Sequence, residues 1–412
     1  MSDRRSSSLF QLLLLGGLAG LASGGVQAQT FSLVDTSYAL TNDLYGSVFG
    51  TYRGSVGPLV RLQHTADSTT LQAYDRWGAP QWGMAIVTDP GVAFGVSYPD
   101  PWSVAGLSDG GFILAHWRNW TEFGPSSSFD STMVRVNVSR FDAAGNVIYS
   151  KLLAIAIPEL FNSGPVSLRV EPEGTSGGAY VLVLPGGFDS LSDLVYVHRM
   201  APNGDLLWSR WIGHVSSWPG AHPEFVDLQS WEDLETSTAP NGDLIIHHLK
   251  PTGENTATDL FRLDTTGNVV LADRYDYASG GIALYALDHA TNDAGEIFVG
   301  GLIVLSTLEE RYLIFKLNAT GGLVHAEFNQ VYEFTQDSHL DVLSDGSVLA
   351  QLKPEYTLPL KENMLLRTSL VGPTSELWTE VKATDQTHNY WNNSPFQSLD
   401  RDSLTVFGTW TR

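Results

Sequence analysis

The chain has 412 residues, with 45 acidic side chains against 23 basic ones and no cysteine. That length suits one large domain or two ordinary ones, the negative excess repels phosphate backbones and anionic lipid and so excludes nucleic acid as a partner, and the missing thiols exclude disulfides, thiolate metal ligands and cysteine nucleophiles. Frequent glycine and aromatic residues, without helical runs of Ala, Leu, Glu and Lys, point to an all-β protein.

Residues 1–28 read as an export signal. Arg4 and Arg5 supply the positive end, LFQLLLLGGLAGLA supplies an apolar stretch, and Val26 to Ala28 supply small residues for cleavage. Cleavage is expected near Ala28, leaving 29–412 as a single secreted or periplasmic domain of bacterial type. The apolar stretch is too short and too rich in glycine to span a bilayer, and no later stretch in the chain could do so, so the mature chain is expected to lack a transmembrane segment.

Beyond the signal, two short patterns recur and alternate. The first is a tight polar turn followed by an apolar strand: SDGGFILAHW (108–117), TSGGAYVLVL (175–184), PNGDLIIHHL (240–249), DAGEIFVGGL (293–302) and SDGSVLAQLK (344–353). The end stretches DLYGSVFGTY (43–52) and RDSLTVFGTW (401–410) fit the same slot. The second is strand, turn, strand: LQAYDRWGAPQW (71–82), VSRFDAAGNVIY (138–149), VHRMAPNGDLLW (197–208), LFRLDTTGNVVL (260–271), IFKLNATGGLVH (314–325) and a stretched copy at 365–378.

Each column of the second pattern has a physical reading. Gly78, Gly145, Gly204, Gly267 and Gly321 supply the positive φ of a tight turn. Asp75, Asp142, Asp264 and Asn318, three residues earlier, bond their own backbone. Arg140, Arg199, Arg262, Lys316 and Arg367 hold one position before the turn, where the stem packs and the charge is expected to stay in water. Trp82, Tyr149, Trp208, Leu271 and His325 follow the glycine by four residues and suit packing between neighbouring sheets.

Each unit thus predicts four short antiparallel strands, and the units predict a β-propeller of such blades, seven in number, with six as the alternative. A ring must close or leave raw edges. The C-terminal unit ends after its second strand, so residues 30–40 are expected to complete it by pairing the two chain ends. In the six-blade alternative the C-terminal strands pair instead with residues 69–86.

These blade signatures resemble those of bacterial secreted β-propeller repeat proteins, over nearly all of residues 40–412. The turns Gly78 to Trp82 and Gly204 to Trp208 also resemble the Gly-x-x-x-Trp docking turn of quinoprotein propellers, from which the other units depart. The resemblance implies architecture; no quinone ligands carry over, and no cofactor is expected.

In such a blade the tight turns share one face, and the long, dissimilar loops share the other, where recognition is expected. Those loops hold Trp117, Trp120, Trp218, His222, Glu224, His388, Tyr390 and Trp391, whose rings could stack on sugars or grip a peptide. Three functions fit: an exported binding or scaffolding protein for a protein or glycan ligand, a carbohydrate-active hydrolase or lyase using loop carboxylates with His222 or His388, or a structural part of a cell-surface assembly. His116 and His248 fall in equivalent slots of non-neighbouring blades and are read as ordinary hydrogen-bonded histidines. Ser176 lies in GTSGG, but in a repeat turn rather than the strand-to-helix elbow a nucleophile needs. The acidic DRDS turn (400–403) lacks calcium-loop spacing, so any calcium is expected to be bound loosely, and no metal residues are assigned.

Overall fold

The computed structural model describes residues 47–50, 59–64, 69–74, 80–86, 102–119, 131–158, 166–185, 195–212, 234–248, 257–276, 281–305, 310–328, 335–343, 346–354, 363–368, 379–383, 396–400 and 403–406. They form strands and turns, and among them no helix is long and apolar enough to cross a membrane.

The strands group into antiparallel meanders in chain order. Sheet 1 holds β1 (Ser47–Gly50), β2 (Leu59–His64), β3 (Thr69–Tyr74) and β4 (Pro80–Ile86). Sheet 2 holds β5 (Trp102–Gly106), β6 (Phe112–Asn119), β7 (Ser131–Phe141) and β8 (Val147–Pro158). Sheet 3 holds β9 (Val166–Glu173), β10 (Gly178–Pro185), β11 (Val195–Met200) and β12 (Leu206–Ile212). Sheet 4 holds β13 (Leu234–Thr238), β14 (Leu244–His248), β15 (Ala257–Leu263) and β16 (Val269–Asp276). Sheet 5 holds β17 (Gly281–Thr291), β18 (Ile297–Leu305), β19 (Glu310–Leu317) and β20 (Leu323–Phe328). Sheet 6 holds β21 (Thr335–Val342), β22 (Val348–Pro354), β23 (Asn363–Thr368) and β24 (Thr379–Ala383). Sheet 7 has two described strands, β25 (Phe396–Asp400) and β26 (Ser403–Val406).

Turn chemistry sets the meander. At residues 107–111, 142–146, 201–205, 239–243, 264–268, 292–296, 318–322 and 343–347 the same two backbone bonds recur: the first residue donates to the fifth, and the fourth donates back to the first. The fourth residue is always a glycine at φ between 75° and 88°, a region that costs a side-chain-bearing residue energy. Asp142, Asp264 and Asn318 each accept two backbone N–H bonds through Oδ1, as expected of turn-formers. The register shifts by one residue just after Ala73, Arg140, Arg199, Arg262 and Lys316, so one bulge repeats in five hairpins.

Successive sheets pack face to face, with their first strands side by side: β1 with β5, β5 with β9, β9 with β13, β13 with β17, and β17 with β21. The core is therefore a series of seams. Separate apolar clusters fill the seams between sheets 1 and 2, 2 and 3, 3 and 4, 4 and 5, and 5 and 6. Along β10, Ala179, Val181 and Val183 enter the seam with sheet 2, while Tyr180 and Leu182 enter the seam with sheet 4. Both faces are buried, which is why the second strands read as continuous apolar runs.

The hairpin columns staple each seam. A Cβ added at Gly145, Gly204, Gly267 or Gly321 would run into Trp82, Tyr149, Trp208 or Leu271 of the preceding sheet. The bulky slot thus docks on the next sheet's turn glycine, as its position implies. The first carbonyl inside that turn is also capped from the preceding sheet: Ala143 O by Trp82 Nε1, Pro202 O by Arg140, Thr265 O by Arg199 and Trp208, and Ala319 O by Arg262.

Two expectations are corrected. The arginine column does not stay in water: Arg140 and Arg262 are only 8% and 7% exposed. Arg140, Arg199, Arg262 and Lys316 pair with Asp109, Glu173, Asp243 and Glu296 from the first turn region of their own sheet. SVFG and TVFG do not share a slot either: Ser47–Gly50 is a first strand, paired with β2, whereas Ser403–Val406 is a second strand, paired with β25. Among the described residues β3 and β4, which the six-blade alternative joins to the C-terminus, pair with each other and with β2. Among the described residues no pairing joins β25 or β26 to sheet 1, and residues 30–40 lie outside the described residues.

Candidate functional site

Trp117 lies in β6, and its side chain is outside the described residues, as are Trp120, Trp218, His222, Glu224, His388, Tyr390 and Trp391. His116 and His248 do occupy equivalent slots, each opposite the start of its sheet's first strand, at Trp102 and Leu234. Ser176 is a turn residue whose Oγ donates to Glu173 O and accepts from Gly178 N.

What the structure brings together is a polar belt along the first strands of sheets 3 to 6. In β9, Leu168 and Val170 enter the seam with sheet 2, so Arg169, Glu171 and Glu173 point to the opposite face, towards sheet 4. Arg169 forks onto Glu235 of β13, with Nη1 2.7 Å from Oε2 and Nη2 3.4 Å from Oε1. Thr236 Oγ1 donates to Glu171 Oε1 at 2.6 Å, and Thr238 Oγ1 donates to Pro172 O at 2.7 Å. On the other side of β13, Ser237 Oγ lies 2.7 Å from His289 Nε2. The ring of His289 meets His247 edge-on at 5.3 Å, and His247 Nε2 bonds Thr258 Oγ1 at 2.7 Å. Asp288 closes the belt, accepting from Leu340 N of β21 at 2.6 Å.

Glu235 and Ser237 share one face of β13, yet Glu235 meets Arg169 from the other side. The pair therefore wraps around the edge of β13 that no described strand pairs, and both side chains keep 29% exposure there. Burial opposes the charge of Arg169, but Glu235, Glu171 and Asp288 outweigh it and hold the guanidinium above its ordinary pKa. Glu171 is different. Burial pushes its carboxyl up to about 7, with Glu235 adding to the rise, against the Thr236 bond and Arg169, which pull it down. Glu171 thus exchanges its proton near neutrality beside a fixed guanidinium, an arrangement suited to acid–base chemistry or to proton-dependent binding. Among the described residues no group of three or more carboxylates or imidazoles is arranged to hold a metal.

Sequence reasoning missed this belt. SLRVEPE and LETST give the clue in hindsight, being polar first strands beside apolar second strands. The partners are about 65 residues apart in different sheets, so no local pattern links them.

No family model matches the chain, and no curated protein matches it. Solved structures do. The chain is similar to prolyl oligopeptidase B from Galerina marginata at 8% identity and a TM-score of 0.43, over 81% of this chain and 42% of that one. It is also similar to the polysaccharide lyase Uly1 at 11% identity and a TM-score of 0.49, over 90% and 87% of the two chains. A third is the subtype N10 neuraminidase-like protein of A/little yellow-shouldered bat/Guatemala/060/2010, at 10% identity and a TM-score of 0.41, over 75% and 95%. The chain spans less than half the length of the prolyl oligopeptidase. At these scores the likeness says nothing of activity or ligand.

Proposed function

We propose that the chain is an exported, seven-bladed β-propeller that binds a protein or glycan through its long-loop face. One observation carries this reading. Eight of the connections at one end of the sheets are the same five-residue turn, as at 107–111, 142–146, 201–205 and 264–268, whereas those at the other end, such as 120–130, 186–194, 213–233 and 355–362, differ in length from sheet to sheet. A scaffold stapled at one end and variable at the other is built to present loops. In this reading residues 1–28 are the export signal and residues 30–40 complete sheet 7. Trp117, Trp120, Trp218, His222, Glu224, His388, Tyr390 and Trp391 furnish the ligand surface.

The test is a polysaccharide and glycan binding screen on residues 29–412, repeated with Trp117→Ala and Trp391→Ala. Specific binding that falls tenfold or more in either variant supports the reading. A screen without any binder overturns the glycan form and leaves a protein ligand or a structural role.

A carbohydrate-active enzyme is the second reading, favoured by the near-neutral carboxyl of Glu171 beside Arg169 and Glu235. Product released from a bound polysaccharide, and lost in Glu171→Gln, supports it; release that survives this substitution refutes it.

A further inference from the structure

We propose that Glu171 is a proton-operated latch on the seam between β9 and β13: with a proton on its carboxyl the two first strands are held together, and loss of that proton loosens them. The geometry is one guanidinium among three carboxylates. Arg169 already spends both Nη groups on Glu235 and also feels Asp288 of β17. The hydrogen bond of Glu171 among the described residues comes from Thr236 Oγ1, a neutral donor on the facing strand.

Among the described residues the other groups around Glu171 are these. From its own strand come Arg169 and Glu173, the latter committed to Arg199. From β10 comes Tyr180, directly opposite in register, whose hydroxyl donates to Gly242 O. From β13 come Glu235 and Thr236. Among the described residues an ionised Glu171 therefore faces Glu235 across the seam, with a share of Arg169 to offset the repulsion. A neutral Glu171 keeps the Thr236 bond and leaves the Arg169–Glu235 fork undisturbed.

The sign follows from linkage. The ordinary carboxyl value is 4.5 and burial raises it to about 7 here, so the closed seam binds more protons than the open one between those values. Its stability is full below about pH 4.5 and falls as pH rises to about 7. Such a shift amounts to roughly a 100-fold rise in the opening constant across that window.

Hydrogen exchange of the full chain tests this, with rates corrected for intrinsic chemistry and β15 and β16 as internal reference. Protection of Val166–Glu173 and Leu234–Thr238 should fall on the order of 100-fold relative to that reference between pH 4.5 and 8. In Glu171→Gln, which keeps an acceptor for Thr236 but cannot ionise, protection should be the same at both pH values. A wild type without the relative loss, or a Gln variant that retains it, overturns the latch. Thr236→Val provides a second arm. Removing the bond that favours the ionised carboxyl should move the transition to higher pH, and an unmoved or lowered midpoint refutes the assignment.

Discussion

Replacing Gly204 with alanine isolates the energy of sheet-to-sheet docking, because Gly346 provides a control with the same backbone and no neighbour among the described residues. Gly204 sits at φ 85° and Gly346 at φ 79°, each the fourth residue of the same turn. A Cβ in that region costs about 1 kcal/mol at either site. At Gly346 nothing among the described residues lies within 4 Å of the new atom. At Gly204 it would sit 2.8 Å from Cγ and Cδ2 of Tyr149, where carbon pairs prefer roughly 3.5–4.0 Å. Tyr149 is packed among Met200, Leu153 and their neighbours in the seam between sheets 2 and 3, so it cannot swing away freely. Overpacking of this kind adds about 1–3 kcal/mol. Gly346→Ala should therefore cost about 1 kcal/mol and Gly204→Ala about 2–4 kcal/mol in urea unfolding followed by tryptophan fluorescence. In a Tyr149→Ala background the excess at Gly204 should vanish. Equal costs at the two glycines, or an excess that persists without Tyr149, would refute the docking argument.

Two further outcomes follow from the staples. Arg262→Met keeps the stem but strips Asp243 of its buried guanidinium partner and uncaps Ala319 O, so it should destabilise by about 3–5 kcal/mol, with Asp243→Asn in the same chain restoring part of that; a loss under about 1 kcal/mol would contradict it. Asp264 is held down to about 2, against an ordinary 3.8, by bonds from Thr266 and Asn268; the stability lost in Asp264→Asn should be constant above about pH 4 and disappear as pH falls through about 2, measured as paired pH–stability curves.

The repeat was legible because its turns are chemically narrow: a glycine at positive φ, with an Asx acceptor three residues before it at Asp142, Asp264, Asn292 and Asn318, leaves a fixed mark in sequence. The slot of SVFG was not, since a four-residue apolar match identifies a strand without saying what it pairs with. The burial of the arginines was hidden for a different reason. Their acids stand at different points of the first turn region, Asp109 three residues before β6, Asp243 and Glu296 directly before β14 and β18, and Glu173 at the end of β9. Side-chain length absorbs the offset, so no acidic column appears beside the arginine column. Glu171 was hidden more deeply, because its character comes from Thr236 and Glu235 in another sheet.

Why the docking slot accepts Trp, Tyr and Leu becomes clear once its two tasks are separated. The slot must cover the next sheet's glycine, and something must cap the carbonyl at the start of that turn. Trp208 covers Gly267 while Arg199 and its own Nε1 both donate to Thr265 O. Tyr149 and Leu271 only cover, and Arg140 and Arg262 cap in their place. Trp82 must do both, because Ala73 stands where sheets 2, 3 and 4 carry Arg140, Arg199 and Arg262, and Ala143 O takes its bond from Trp82 Nε1 at 3.0 Å. Leucine already serves as a cover at Leu271, so Trp82→Leu and Trp208→Leu remove similar stacking but differ in what remains on the carbonyl. Trp82→Leu should cost about 0.5–1.5 kcal/mol more than Trp208→Leu, the net worth of one hydrogen bond, and placing an arginine at Ala73 in the Trp82→Leu chain should recover much of the difference. If the two leucine variants unfold at the same urea concentration, the carbonyl cap contributes nothing and the seams are held by apolar packing and the buried ion pairs alone.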